Sequence, residues 1–204
     1  MAKLVLRHRA FMAVQRRGEI ARLLERLRRN PPRRVCEIGS LNGGTVCLFA
    51  QVASTDAQLL CIDPGLTPLR AAAIGGLARP GQRITCLIGD SRAAATVQGV
   101  RDWLGDERLD FLFIDGDHSL PAVADDFAVY APLVRDGGLI ALHDIVPDSR
   151  TRGGVTTISH VGDVPAFWSQ LKGRGHVTHE LIDDPEQDGM GIGVIEWRAT
   201  IWAR

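Results

Sequence analysis

The stretch RRVCEIGSLNGGTVCLFAQVASTDAQLLCIDP, residues 33–64, decides the fold. It opens with a short apolar run ending in Glu37-Ile38-Gly39 and passes through Ser40-Leu41-Asn42-Gly43-Gly44. It then takes up a helical pattern over 45–53 before a second apolar run, QLLCIDP, at 58–64. Short apolar runs closed by turn residues and separated by helical patterns read as strand–helix–strand units. The alternation continues downstream. A helix is predicted over 67–78, then RITCLIGD (83–90) with a helix over 92–104, LDFLFIDG (109–116) with a helix over 119–134, and GLIALHDI (138–145). Five such units predict a parallel sheet covered by helices on both faces.

The tail departs from this pattern. After a helical stretch over 164–171 come HVTHELI (176–182) and GMGIGVIEW (189–197), joined only by DDPEQD. So short a link pairs the two runs antiparallel, giving an α/β sheet of seven strands. At the other end, Phe11, Val14, Ile20, Leu23, Leu24 and Leu27 form a helical stripe that Asn30-Pro31-Pro32 ends. The expected organisation is an N-terminal basic amphipathic region (1–34) followed by the main domain (35–204).

Composition narrows the function classes. The 204 residues are 45% apolar, and 24 Lys+Arg balance 24 Asp+Glu, which suits one well-buried domain. Residues 1–34 hold eleven Lys/Arg against Glu19 and Glu25. Phe11 is the one aromatic residue among these arginines, too few to form a stacking platform, so the expectation is a solvated helix face pairing with the acidic body, without a nucleic-acid partner. No apolar run approaches the roughly 20 residues needed to cross a bilayer, and the opening residues lack a secretory apolar core. A cytoplasmic protein without a membrane partner is expected. Cys36, Cys47, Cys61 and Cys86 form no C-x-x-C pair and lie in apolar stretches, so they read as reduced core residues.

The candidate site residues sit at strand ends. The glycines after the first strand let the backbone turn sharply and approach a ligand where the next helix presents its N-terminal N–H groups. A dinucleotide fingerprint would place glycine where Leu41 stands; the spacing here is E-x-G-x-x-x-G-G-T. Asp63 ends the second strand, where a carboxylate accepts ribose hydroxyls. Gly89-Asp90-Ser91 ends the third strand, Asp115-Gly116-Asp117-His118 the fourth, and His143-Asp144 the fifth.

These motifs resemble the class I S-adenosylmethionine (SAM) dependent methyltransferases, whose Rossmann-like seven-stranded sheet matches the predicted strand order. The resemblance implies that SAM is held by Glu37, Gly39, Ser40, Asn42, Gly43, Thr45, Asp63, Asp90, Ser91 and Asp115. The stretch FLFIDGDHSLPAVADDFAVYAPLVRDGGLIALHD (111–144) is similar to a metal-dependent O-methyltransferase group. That group includes enzymes resembling macrocin O-methyltransferase and the cephalosporin-hydroxylase-like proteins, and the likeness runs from about Gln15 to Trp197.

By that resemblance, Asp115 and Asp144 hold a divalent metal, Mg²⁺ first; His143 is either a third ligand, which admits Mn²⁺, Fe²⁺ or Zn²⁺, or points away and hydrogen-bonds. His118 is the implied general base and Asp117 its rival. Catechol and caffeoyl-coenzyme A relatives carry an acid followed by Asn or Asp where His143-Asp144 stand, so His143 is a departure.

Asp125 and Asp126 read as surface charges, and the polar stretch 146–162 as an active-site lid. An apolar wall is drawn from 164–168, with core packing of Phe167 and Trp168 favoured over that role. His160, His176 and His179 match no metal spacing. The implied activity is O-methylation of a small hydroxylated acceptor, a sugar or natural product, with a homo-oligomer allowed. The competing reading is a non-catalytic SAM-fold binding or assembly module.

Overall fold

A computed structural model describes residues 13–202; Phe11 of the predicted first helix lies outside them. In chain order the elements are α1 (Arg17–Arg29), β1 (Arg34–Ile38), α2 (Gly44–Val52), β2 (Gln58–Ile62), α3 (Pro68–Gly75), β3 (Arg83–Leu87) and α4 (Ala94–Leu104). There follow β4 (Leu109–Ile114), α5 (Leu120–Tyr130), β5 (Val134–His143), α6 (Ser149–Gly153), α7 (Val164–Lys172), β6 (Val177–Leu181), β7 (Ile192–Glu196) and α8 (Ala199–Trp202). The strands form one seven-stranded sheet in the order β3-β2-β1-β4-β5-β7-β6. β1 to β5 are parallel, and β7 runs antiparallel to both β5 and β6. The predicted fold class holds.

Strand side chains alternate between two apolar layers, as the pleat requires. Cys36, Ile38, Leu60, Ile62, Leu112, Ile114, Ile140 and Leu142 point into one layer, completed by Val100 and Leu104 of α4, Phe127 and Tyr130 of α5, and Phe167 and Trp168 of α7. Val35, Leu59, Cys61, Phe111, Phe113 and Ala141 point into the other, with Leu23 and Leu27 of α1 and Phe49 of α2. Phe49 stands edge-on to Phe111 and Phe113, with centroids at 5.1 and 5.2 Å, a favoured quadrupole arrangement. Phe167 and Trp168 are therefore core, as favoured, and Trp168 Nε1 donates to Glu180 at 2.6 Å.

The basic N-terminal helix is paired as its composition suggests. Arg22 meets Asp183 at 2.9 Å and Arg26 meets Glu196 at 2.5 Å. Glu19, fully buried on α1, accepts from Gln187 Nε2 at 2.7 Å and the Gly191 amide at 2.9 Å, which ties the helix to the β6–β7 connection. All four cysteines are free, and Cys61 and Cys86, register partners on β2 and β3, bring their sulfurs to 3.1 Å. Among the described residues, no helix is long and apolar enough to cross a membrane.

One expectation is corrected. Asp125 is exposed, but Asp126 is only 1% exposed, because the turn of α5 that seats Val123 and Phe127 in the core carries Asp126 inward with them. There it accepts from Ser91 Oγ at 2.5 Å, while Tyr130 of the same helix donates to the Ser91 carbonyl at 2.7 Å. Burial lifts the Asp126 carboxyl from 3.8 to about 6, with the Ser91 hydrogen bond opposing the rise. The folded state thus binds this proton more tightly than the unfolded chain does. Its contribution to stability is full below about pH 4 and is lost as pH rises through about 6. Asp126→Asn keeps an acceptor for Ser91 and removes that dependence. Urea denaturation of the variant should show a flatter stability profile between pH 4 and 7 and a gain on the order of 2 kcal/mol at pH 7.

Candidate active site

The sheet order reverses between β1 and β4, so the connections leaving their carboxyl ends diverge and open a crevice between them. Gly39 (φ 83°) follows β1, and a Cβ there would lie 1.9 Å from the Asp115 carbonyl oxygen that follows β4. The Asp115 amide donates to Ile38 O at 2.9 Å and the Gly39 amide to Ile62 O at 2.9 Å, so three strand ends are locked together. Over them lies a cleft of about 550 Å³, within the range of small-ligand sites. Leu41, Asp144 and Met190, the non-glycine residues with positive φ among those described, all line it. Strain of this kind gathers at functional sites.

On the β1–β2–β3 side the cleft is lined by Gly39, Ser40, Thr45, Asp63, Asp90 and Ser91. Asp63 accepts from the Leu41 amide through one oxygen and the Gly65 amide through the other, each at 2.7 Å. It therefore staples the glycine loop to the end of β2 while keeping lone pairs on the cleft. Asp90 is bound by the Arg92 amide and guanidinium, which hold its carboxyl below the usual range. Glu37, Asn42 and Gly43 do not line the cleft. Gly43 (φ 76°) caps α2, and a Cβ there would meet the Ile74 side chain at 2.6 Å.

Glu37 is buried beneath the loop, and neither its oxygens nor the buried Ser40 hydroxyl makes a hydrogen bond of ordinary geometry, although the Ser40 hydroxyl and the Val46 amide lie close enough to the carboxyl to lower its pKa in part. Burial, reinforced by the charge of Asp115, pushes the Glu37 carboxyl well above its ordinary value. Orphaned buried polar atoms beside a glycine loop fit a site built for a polar ligand.

The other side of the cleft is acidic and imidazole-rich. Asp115, His118 and Asp144 each present one ligand atom within 4.8 Å of one another. His118 Nε2 is 3.8 Å from Asp115 Oδ1 and 3.5 Å from Asp144 Oδ2. His143 Nδ1 is closer to the same two oxygens, at 3.1 and 3.3 Å, and its Nε2 is buried without a partner. Burial alone would raise the Asp115 carboxyl, but His143 and His118 together draw it down to about 2. Burial would likewise lower the His143 imidazole; Asp115 and Asp144 override it and lift it to about 10. Two carboxylates facing one point are thus balanced by a buried imidazolium; a divalent cation would replace that positive charge, and the deprotonated Nδ1 would then join the carboxylate oxygens as a donor set that suits it.

Asp117 is separate from this cluster. Its side chain is 54% exposed, its Oδ1 accepts from the Ser119 amide at 2.9 Å, and its Oδ2 faces Arg92 at 3.8 Å. His118 Nδ1 donates to the His160 carbonyl, which leaves Nε2 as the nitrogen facing the carboxylates.

Residues 158–160, from the polar stretch 146–162 expected over the site, line the cleft. Other lining residues escape sequence reasoning: Val14 and Gln15 come from the segment before α1, Arg92 from the turn after β3, and Met190 from the β6–β7 connection. The polar stretch forms a wall anchored at both ends. Asp148 accepts from the Thr151 amide at 2.8 Å, and Asp188 accepts from the Ser149 amide and the Thr157 hydroxyl. Gln15 Nε2 donates to Asp115 Oδ2 at 2.9 Å, and Gln15 Oε1 accepts from Thr45 Oγ1 at 2.9 Å. Nothing in the local sequence around Gln15 marks it, because its partners are 100 and 30 residues away. The carbonyl of His160, a histidine left unassigned by spacing, is what orients His118.

Known proteins share this architecture. Residues 36–145 match the family described as a methyltransferase domain. An O-methyltransferase from Bacillus cereus, solved with S-adenosylhomocysteine, is 17% identical with a TM-score of 0.65, the match covering 96% of this chain and 90% of that one. TomG from Streptomyces achromogenes, an O-methyltransferase involved in tomaymycin synthesis and solved with SAM, is 21% identical with a TM-score of 0.56, over 96% of this chain and 86% of that one. MycE of the mycinamycin pathway, solved with Mg and S-adenosylhomocysteine, is 21% identical with a TM-score of 0.57. That match covers 86% of this chain and 48% of MycE. No curated protein matches the chain. With its glycine loop, strand-end acids and sheet order in place, the chain belongs to the methyltransferase-domain family, within the class I SAM-dependent fold group.

Proposed function

We propose that the protein transfers the methyl group of SAM to a hydroxyl of a small molecule, a sugar or hydroxylated natural product, with a divalent cation at Asp115 and Asp144. The observation that carries this reading is the convergence of two carboxylates and two imidazoles on the same cleft as the glycine loop. The orphaned Ser40 hydroxyl and the free lone pairs of Asp63 fit SAM. The paired carboxylates, otherwise balanced only by histidine, fit a cation. That MycE was solved with Mg and TomG serves tomaymycin synthesis accords with both.

Once bound, SAM supplies an electrophilic methyl group, and the cation lowers the pKa of the acceptor hydroxyl. The chain's own residues supply the rest. Asp63 takes the ribose hydroxyls, and Asp90 and Ser91 flank the adenine, the latter gripped from behind by Asp126 and Tyr130. Asp115 and Asp144 hold the cation, with His143 Nδ1 at 3.1 and 3.3 Å completing the set.

His118, with its tautomer set by His160, turns Nε2 toward the acceptor and takes its proton; the Asp115 carboxylate at 3.8 Å, with Asp144 at 3.5 Å, holds the imidazole above its ordinary pKa. Asp117, engaged with Ser119 and Arg92, serves as a turn residue. Among the described residues no Phe, Tyr or Trp lines the cleft, so they offer no stacking platform for a nucleobase of a nucleic acid. Four free cysteines suit a reducing cytoplasm.

Three outcomes test the reading. Chelation should abolish turnover while calorimetry shows SAM binding retained; full turnover in excess chelator, with no metal in the protein, counts against a cation and favours a binding module. Asp63→Ala should weaken SAM binding by about 1.5 to 3 kcal/mol, and unchanged affinity removes Asp63 from the ribose. In single-turnover assays His118→Ala should lose about 10²-fold in rate with metal affinity retained, whereas His143→Ala should lose metal affinity. The reverse pattern exchanges the two roles.

A further inference from the structure

The segment preceding α1 reaches into the acidic cluster through one side chain. Gln15 is half-buried, and both ends of its amide are engaged: Oε1 accepts from Thr45 at the start of α2, and Nε2 donates to Asp115 Oδ2, both at 2.9 Å. The opposite orientation would set the amide oxygen against a carboxylate oxygen at the same distance, two acceptors face to face, so the network itself assigns the amide. The consequence falls on Asp115, whose other oxygen, Oδ1, faces His143 at 3.1 Å and His118 at 3.8 Å. One oxygen looks into the cluster, and the other looks at the positive end of an amide dipole.

Resting on the cation reading given above, we propose that Gln15 is a positioning residue that restricts Asp115 to one coordinating oxygen. It thereby selects a small six-coordinate cation, such as Mg²⁺ or Mn²⁺, over Ca²⁺. Ca²⁺ takes six to eight oxygens and gains from carboxylates that swing to bind through both, whereas Mg²⁺ demands compact octahedral geometry with single-oxygen ligands. An N–H₂ group against Oδ2 repels a cation from the position it would occupy in two-oxygen coordination. Thr45 holds that group in place by fixing the other end of the amide. Residues adjoining the ligands commonly tune metal sites in this way.

The test uses the full chain and the metals alone. Calorimetric titration with Mg²⁺, Mn²⁺ and Ca²⁺ should show the affinity ratio of Mg²⁺ to Ca²⁺ falling about tenfold in Gln15→Met, which keeps the side-chain length and lacks both hydrogen bonds. Thr45→Val should lower the ratio in the same direction, and Thr45→Ser, which retains the donor, should preserve it. A wild-type ratio in folded Gln15→Met overturns the inference and leaves the cation reading standing. Should Gln15→Met fail to fold, the contrast between Thr45→Val and Thr45→Ser decides, and equal ratios in those two overturn it. A wild-type chain that binds none of the three ions overturns the cation reading, and this inference with it.

Discussion

The backbone of Gly39 rests on the backbone of Asp115, and the rest of the site depends on that contact. A single added methyl at Gly39 would stand 1.9 Å from the Asp115 carbonyl, so the two connections leaving β1 and β4 approach as closely as main chains can. The approach is possible because both strands are central, buried on both faces and parallel, with the Asp115 amide hydrogen-bonded to Ile38 O. Glycine is required there twice over, for space and for a φ of 83°. The outcome is that a loop suited to a nucleotide-like ligand and a loop bearing metal-type ligands share one wall.

Electrostatics then constrain what the shared wall can hold. Glu37, Asp63, Asp115 and Asp144 all lie at or just behind it, and the chain answers them with imidazoles and amides: His143 and His118 beside Asp115, the Leu41 and Gly65 amides on Asp63. Glu37 is held toward its neutral form by burial and by the charge of Asp115, which outweigh the Ser40 hydroxyl and the Val46 amide. A cationic ligand is the natural complement of this arrangement, which is what the proposed reaction would bring to it.

The periphery is fastened to the same wall by buried polar side chains. Glu19 at the start of α1 holds the β6–β7 connection, which in turn holds the polar wall through Asp188. Four residues earlier in the chain, Gln15 bridges Thr45 and Asp115. Asp126 and Tyr130 reach from α5 under the turn at Ser91. Each is a polar group placed where an apolar one would pack, retained because it ties a loop of the site to a rigid element.

The sequence by itself determined the sheet, its strand directions and the positions of the acids, because alternating apolar runs, glycine turns and connection lengths are local signals. That Asp63, Asp90, Asp115 and Asp144 line one cleft is legible because each ends a strand, and in a parallel sheet all such ends lie on one edge. What local signals do not carry is orientation across the fold. Glu37 ends a strand too, yet its side chain points beneath the loop and not into the cleft. Asp126 looked like its exposed neighbour Asp125 until the roll of α5 against the sheet turned it inward. The tertiary structure alone brought Gln15 to Asp115 and the His160 carbonyl to His118. Those contacts span 100 and 42 residues, and they exist only because the sheet has already set their anchoring elements side by side.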